Sequence, residues 1–251
     1  MITPFLDARN LHIYLPLRRA RLKRRMISGN GTSGGDIAHI NGQPYVAALQ
    51  DINFRLSSGD CVALIGRNGS GKTTLLRTLA GIYELSGGAL TTQGNVATMF
   101  SSALSLSDLE TGRKNIYYSS ILHGISTQHI KKRIPEITEI CGLGKFIDIP
   151  VSMYSDGMRA RLGMALAIIA TPDIMLIDEA ITATDMHFIR SIDEQAQLFS
   201  NPEAICVMAT HSREIQDRYC NKALWLDRGR LRAYGPYKDI RERYDRYCER
   251  N

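Results

Sequence analysis

The chain has 251 residues, of which 44% are hydrophobic and 22% charged, with a net charge of +6. That size and mix bury a substantial core and exclude a disordered chain. No apolar run reaches the roughly 18 residues a membrane-crossing helix needs. The opening "MITPFLDARN" also lacks the charged start and apolar core of a signal peptide, so a cytoplasmic location is expected.

The basic excess is concentrated early. "RRARLKRR" (18–25) holds six cations in eight positions, followed by the Gly/Ser-rich "SGNGTSGGD" (28–36). Residues 16 to 43 therefore read as a basic, flexible excursion from the core. Such a run meets nucleic acid, an anionic membrane surface, or only water. Five cysteines (Cys61, Cys141, Cys206, Cys220, Cys248) lie far apart without a Cys-x-x-Cys pair, which speaks against zinc or a disulfide framework.

"CVALI" (61–65) is a short apolar run with the character of a buried strand. Directly after it, "GRNGSGKTT" (66–74) fits G-x-x-x-x-G-K-[ST]. Gly66, Arg67, Asn68, Gly69, Ser70 and Gly71 form a loop whose N–H groups turn inward to phosphate oxygens. Lys72 adds charge for the β- and γ-phosphates. Thr73 offers a hydroxyl to Mg²⁺, and Thr74 continues into the helix "TTLLRTLAGI".

From about 100 to 168 the chain has little strand character and reads as a helical lobe inserted between two parts of a sheet. At the end of the lobe "YSDGM" (154–158) opens an apolar helix, where free N–H groups suit an anion. A second buried strand, "IMLI" (174–177), runs into Asp178 and Glu179. The first acid suits magnesium, and the second could polarise an attacking water. A third, "AICVMA" (204–209), precedes His211, placed where parallel sheets bind ligands.

"ALWLD" (223–227) with "RGRLRAYG" predicts a hairpin turning at Gly229. In the tail, Tyr237, Ile240, Tyr244 and Tyr247 recur at helical spacing, a stripe that predicts packing on the domain. Strands alternating with helices predict one α/β domain over 1–251. Its core is of the P-loop NTPase kind, with a mostly parallel sheet, antiparallel β elements and the inserted helical subdomain.

This order of motifs resembles the nucleotide-binding subunits of ABC transporters over nearly the whole chain. Tyr-Ser-x-Gly-Met with its Arg-rich turn, "ETGRKNI" (110–116) and "LGKFIDIPVSMYSDGM" (143–158) resemble the branch that exports capsule, O-antigen and teichoic-acid polymers. The resemblance implies a homodimer with ATP held between the P-loop of one copy and the signature helix of the other. Ser155 and Gly157 would then contact the partner's ATP. Glu179 would be the catalytic base, His211 the γ-phosphate switch, and Thr73 with Asp178 the Mg²⁺ residues. Asp185 in "ITATD" would link the two sites.

The family also implies a separate transmembrane permease dimer, a lipid-linked glycan as cargo, and a peripheral place on the cytoplasmic face of the inner membrane. Three positions depart from its pattern. Asp156 replaces a signature glycine and is expected to cap the helix. Near the usual lobe glutamine stand only Ser101 and Ser102, with Ser101 the candidate for a metal contact. Tyr14 and Tyr45 both qualify for stacking on adenine. The competing readings are a non-transport ATPase of the same fold acting on nucleic acid or ribosomes, and a small P-loop kinase. The first would need coiled-coil heptads or a second cassette, and the second leaves "YSDGM" and His211 without a use.

Overall fold

The computed structural model describes residues 3–17, 36–40, 42–100, 106–122, 126–169, 171–179, 186–196 and 199–250. The chain begins with β1 (Phe5–Pro16), β2 (Asp36–Ile40), β3 (Gln43–Ser57), β4 (Cys61–Ile65), α1 (Lys72–Leu79), β5 (Gly87–Gln93) and β6 (Val96–Phe100). Helices α2 (Gly112–Leu122), α3 (Thr127–Cys141) and α4 (Asp156–Ile169) follow, with 3₁₀ turns at Gly144–Asp148 and Val151–Met153. The remainder is β7 (Ile174–Asp178), α5 (Met186–Ala196), β8 (Ile205–Ala209), α6 (Arg213–Tyr219), β9 (Lys222–Asp227), β10 (Arg230–Pro236) and α7 (Tyr237–Arg250).

Two sheets result. One is antiparallel, in the order β2-β3-β1-β5; the other runs β10-β9-β4-β8-β7-β6. In the second, every pair from β9 to β6 is parallel and only β10 is antiparallel. The hairpin at Gly229 is as expected, with Asp227 opposite Arg230.

Strands β4, β7 and β8 are buried at every residue, which is why they read as unbroken apolar runs. Alternate side chains serve two cores. Val62 and Leu64 join Leu6, Ile13, Leu49, Ile52 and α1's Leu75 and Leu76 between the sheets. Ala63 and Ile65 face Met175, Ile177, Ile189, Trp225 and Tyr237 on the other side.

On that side the terminal helix lies along the sheet as its stripe predicts, with Tyr237 and Ile240 buried. Tyr244 meets Trp225 edge-on and Tyr247 meets it at a tilt, ring centroids 5.6 and 5.1 Å away, and Trp225 is opposite Ile65 in the β4–β9 register. A third core, Ile116, Ile137, Cys141, Ile147, Val151, Tyr154 and Leu162, knits α2, α3 and α4 together.

The whole basic stretch 18–25 and the Gly/Ser segment up to 35 fall outside the described residues. The expectation of a loop from 16 to 43 is corrected at its end: Asp36–Ile40 forms an edge strand on β3. Its five residues are too short, and too close to glycines, to stand out as a strand in sequence.

Candidate functional site

The P-loop leaves β4 and is shaped by what its glycines permit. Gly66, Gly69 and Gly71 have φ of 150°, 77° and 108°, which L side chains rarely adopt. A Cβ on Gly66 would strike the Leu226 carbonyl and Ser70 Oγ, and one on Gly71 would sit 3.0 Å from Leu49 Cδ2. The β9–β10 turn braces the loop from behind. Gly229 N–H donates to Ser70 O at 2.9 Å, while its carbonyl accepts from Gln50 N–H at 2.8 Å. Gly229 does more than turn the hairpin: a Cβ there would meet the Ala48 carbonyl, so this turn packs close against the sheet.

Lys72 folds back over the loop, its ammonium donating to Gly66 O at 2.8 Å and Arg67 O at 3.2 Å. Burial pushes its pKa down, against the pull of Glu179 and Asp178. Thr73 Oγ1 donates to Asp178 Oδ1 at 3.3 Å across the gap between α1 and β7. Burial raises the Asp178 pKa, with the Thr73 hydrogen bond acting the other way and the Glu179 charge adding to the rise.

Glu179 follows at a φ of 30°, a left-handed backbone uncommon outside glycine, and its N–H donates to Ala209 O at 2.8 Å. Its carboxylate Oε1 lies 3.0 Å from His211 Nε2, and both side chains are about half exposed. Since β8 lies between β4 and β7, the C-terminal ends of three parallel strands bring Lys72, Asp178, Glu179 and His211 to one edge of the sheet.

Ser155 and Gly157 stand apart on the lobe. Tyr154, just before them, packs in the lobe core and donates its hydroxyl to Phe146 O at 2.7 Å. Gly112 leaves room for that ring: a Cβ there would hit the Tyr154 hydroxyl. Arg159, one turn into α4, pairs with Asp108 at 2.5 Å. The expectation for Asp156 is corrected. Ser155 Oγ accepts from Met158 N–H at 3.3 Å and so caps α4, while Asp156 is the exposed first helical residue. A serine oxygen one residue earlier reaches the free N–H groups, and the carboxylate still gains from the positive helix end.

Tyr14 and Tyr45 belong to neighbouring strands of the antiparallel sheet. Tyr14 is opposite Ala47 and Pro16 opposite Tyr45, so the two rings share a face as diagonal neighbours. Tyr14 also stacks on His12 at 6.2 Å. Ser101, Ser102 and Asp185 lie outside the described residues.

A family model described as "ABC transporter" matches residues 49–182. An O-antigen export system ATP-binding protein of Yersinia enterocolitica is 40% identical over 199 residues, 79% of this chain and 83% of that protein. One from Klebsiella pneumoniae is 35% identical over 82% of this chain and 83% of its own length. A teichoic acids export ATP-binding protein of Bacillus anthracis is 35% identical over 82% of this chain and 37% of that longer protein. Among solved structures, an ATP-binding subunit of an ABC transporter superposes with a TM-score of 0.73 at 22% identity, covering 96% of this chain and 93% of that one. A dimeric cassette in a post-hydrolysis state with ADP and Pi gives 0.72 at 17% identity, over 92% and 98%.

Proposed function

The chain belongs to the ABC transporter family, and we propose that it is the ATP-hydrolysing subunit of an exporter of lipid-linked polysaccharide. The cargo is supported by the 40% identity to an O-antigen export ATP-binding protein. The chemistry is carried by one observation: Glu179 and His211 meet at 3.0 Å on the sheet edge that also bears Lys72 and Asp178.

The residues suit a magnesium nucleotide. Ser70 Oγ is a buried polar atom without a partner, facing the cradle that a Cβ on Gly66 would fill. The oxygens of Thr73 and Asp178 are the hard donors magnesium prefers, and bound there the ion would neutralise charge on the β- and γ-phosphates. Lys72, released from Gly66 and Arg67 carbonyls, binds phosphate oxygens, and the loop from Gly66 to Thr74 supplies N–H groups.

Glu179 orients a water at the γ-phosphorus and accepts its proton, while His211 donates to a γ-phosphate oxygen. Tyr14 or Tyr45 stacks on adenine. A second copy lies head to tail. Its Ser155 hydroxyl, whose oxygen already serves the cap, still has its own proton to donate to this nucleotide, joined by Gly157 N–H. Closing and reopening of the pair drives a separate transmembrane permease dimer from the cytoplasmic face. Among the described residues no helix is long and apolar enough to cross a membrane.

The test is a cell whose only copy carries Glu179→Gln. Lipid-linked glycans should accumulate inside, and their mass names the polymer. An unchanged pool in a strain that makes such a glycan, with the variant's hydrolysis verified as lost, removes the polysaccharide assignment and leaves the ATPase.

A further inference from the structure

We propose that Gln216 is a positioning residue for hydrolysis: it fixes the backbone that carries His211, and the terminal helix α7 holds it in place. The proposal rests on the reading of His211 and Glu179 as hydrolytic groups. Gln216 lies on α6 and is 3% exposed, an unusual burial for an amide side chain. Its side chain runs back along the chain, where Nε2 donates to the Thr210 carbonyl at 2.5 Å. Its Oε1 accepts from Arg241 Nη1 at 3.0 Å, and the Tyr237 hydroxyl oxygen packs 3.5 Å away; both residues are on α7.

Thr210 directly precedes His211 and is itself 5% exposed, so water does not reach its carbonyl freely. On the other flank, Ser212 N–H donates to Thr210 Oγ1 at 3.1 Å and Ser212 Oγ accepts from Ile215 N–H at 3.4 Å, capping α6. His211 is therefore the exposed middle residue of a three-residue segment pinned on both sides.

The two α7 side chains beside the Gln216 oxygen are pinned in turn. Tyr237 donates to Asp217 at 2.6 Å, and Arg241 pairs with Asp245, which also holds Arg213 at 3.2 Å. An apolar side chain would fill the same space. The amide gives a donor toward the end of β8 and an acceptor toward α7 at once, which an apolar side chain does not. The orientation of the His211 ring against Glu179 is thus set from α7, through a contact of neither residue with the nucleotide.

The experiment measures phosphate release and equilibrium binding of a non-hydrolysable ATP analogue on the full chain, with Gln216→Leu and Arg241→Met. Both variants should keep analogue affinity and KM within about threefold, while kcat falls about 10- to 100-fold for Gln216→Leu, the scale of a small misplacement of a reacting group. Arg241→Met, which leaves the amide donor to Thr210 in place and replaces a half-buried stem with one of similar length, should lower kcat less.

NMR supplies a readout that stability does not move. The His211 ring resonances should respond to Glu179→Gln in the parent and no longer respond in the Gln216→Leu background. The proposal is overturned if kcat stays within about twofold in both variants. It is equally overturned if analogue binding falls in step with kcat, which would mean general loosening. If the parent releases no more phosphate than Lys72→Ala, the hydrolytic reading falls and the proposal with it.

Discussion

Burial works against both charges at the heart of the P-loop site. It lowers the pKa of Lys72 and raises that of Asp178, so the site holds an ammonium and a carboxylate where each is less comfortable than in water. The sign for stability follows. With its folded pKa above the ordinary 3.8, Asp178 costs nothing in strong acid, where folded and unfolded chains both carry the proton. The cost sets in as pH rises past that value and is full above the folded pKa. Asp178→Asn should therefore melt higher than the parent near neutral pH, and the gap should close as pH falls toward 3.8; thermal melts across that range check it. The same variant should lose ATP hydrolysis, a trade of function against stability. Glu179→Gln should bind ATP with an affinity within a few-fold of the parent and hydrolyse it at least about 100-fold more slowly, judged by single-turnover phosphate release.

The elements differ in how plainly the sequence announces them. Strands β4, β7 and β8 are apolar on both faces, so "CVALI", "IMLI" and "ICVMA" stand out, and the residues proposed for the chemistry follow them. The long strands β1 and β3 escape notice because their alternation is broken. Asn10 and Asp51 have φ of 47° and 52° at register shifts or beside them, and each slip moves the apolar residues out of step. Gln216 carries no motif at all; its use appears only once α7 has folded back over α6. Asp156 looked like a cap because Asp caps well, and the neighbouring serine took the place. The lobe has its own core, which permits a test at this scale. Leu162 is fully buried within it, so Leu162→Ala should cost about 2–5 kcal/mol. Hydrogen exchange should speed up in α2, α3 and α4 while the amides of β4, β7 and β8 stay protected, because those strands draw on different cores.

For the molecule as a whole, the P-loop and the Ser155–Gly157 turn belong to different bodies of packing: the first to the core between the sheets, the second to the lobe. On the proposed reading, a nucleotide gripped by both, one from each copy, ties two chains together and makes association depend on ATP. Glu179→Gln should run as a dimer with ATP and as a monomer without it, and Lys72→Ala should stay monomeric in both; light scattering on eluted peaks decides. Replacing Ser155 by Arg should abolish the dimer without touching nucleotide binding by the separate chain. The place of Trp225 has a practical consequence. It is the sole tryptophan of the chain, packed against Tyr244 and Tyr247 and opposite the last strand residue before the P-loop. Its ultraviolet emission belongs to one spot, so the protein carries a built-in fluorophore where the strand leading into the nucleotide loop meets the terminal helix. Stopped-flow mixing with ATP can time that spot's response without a dye.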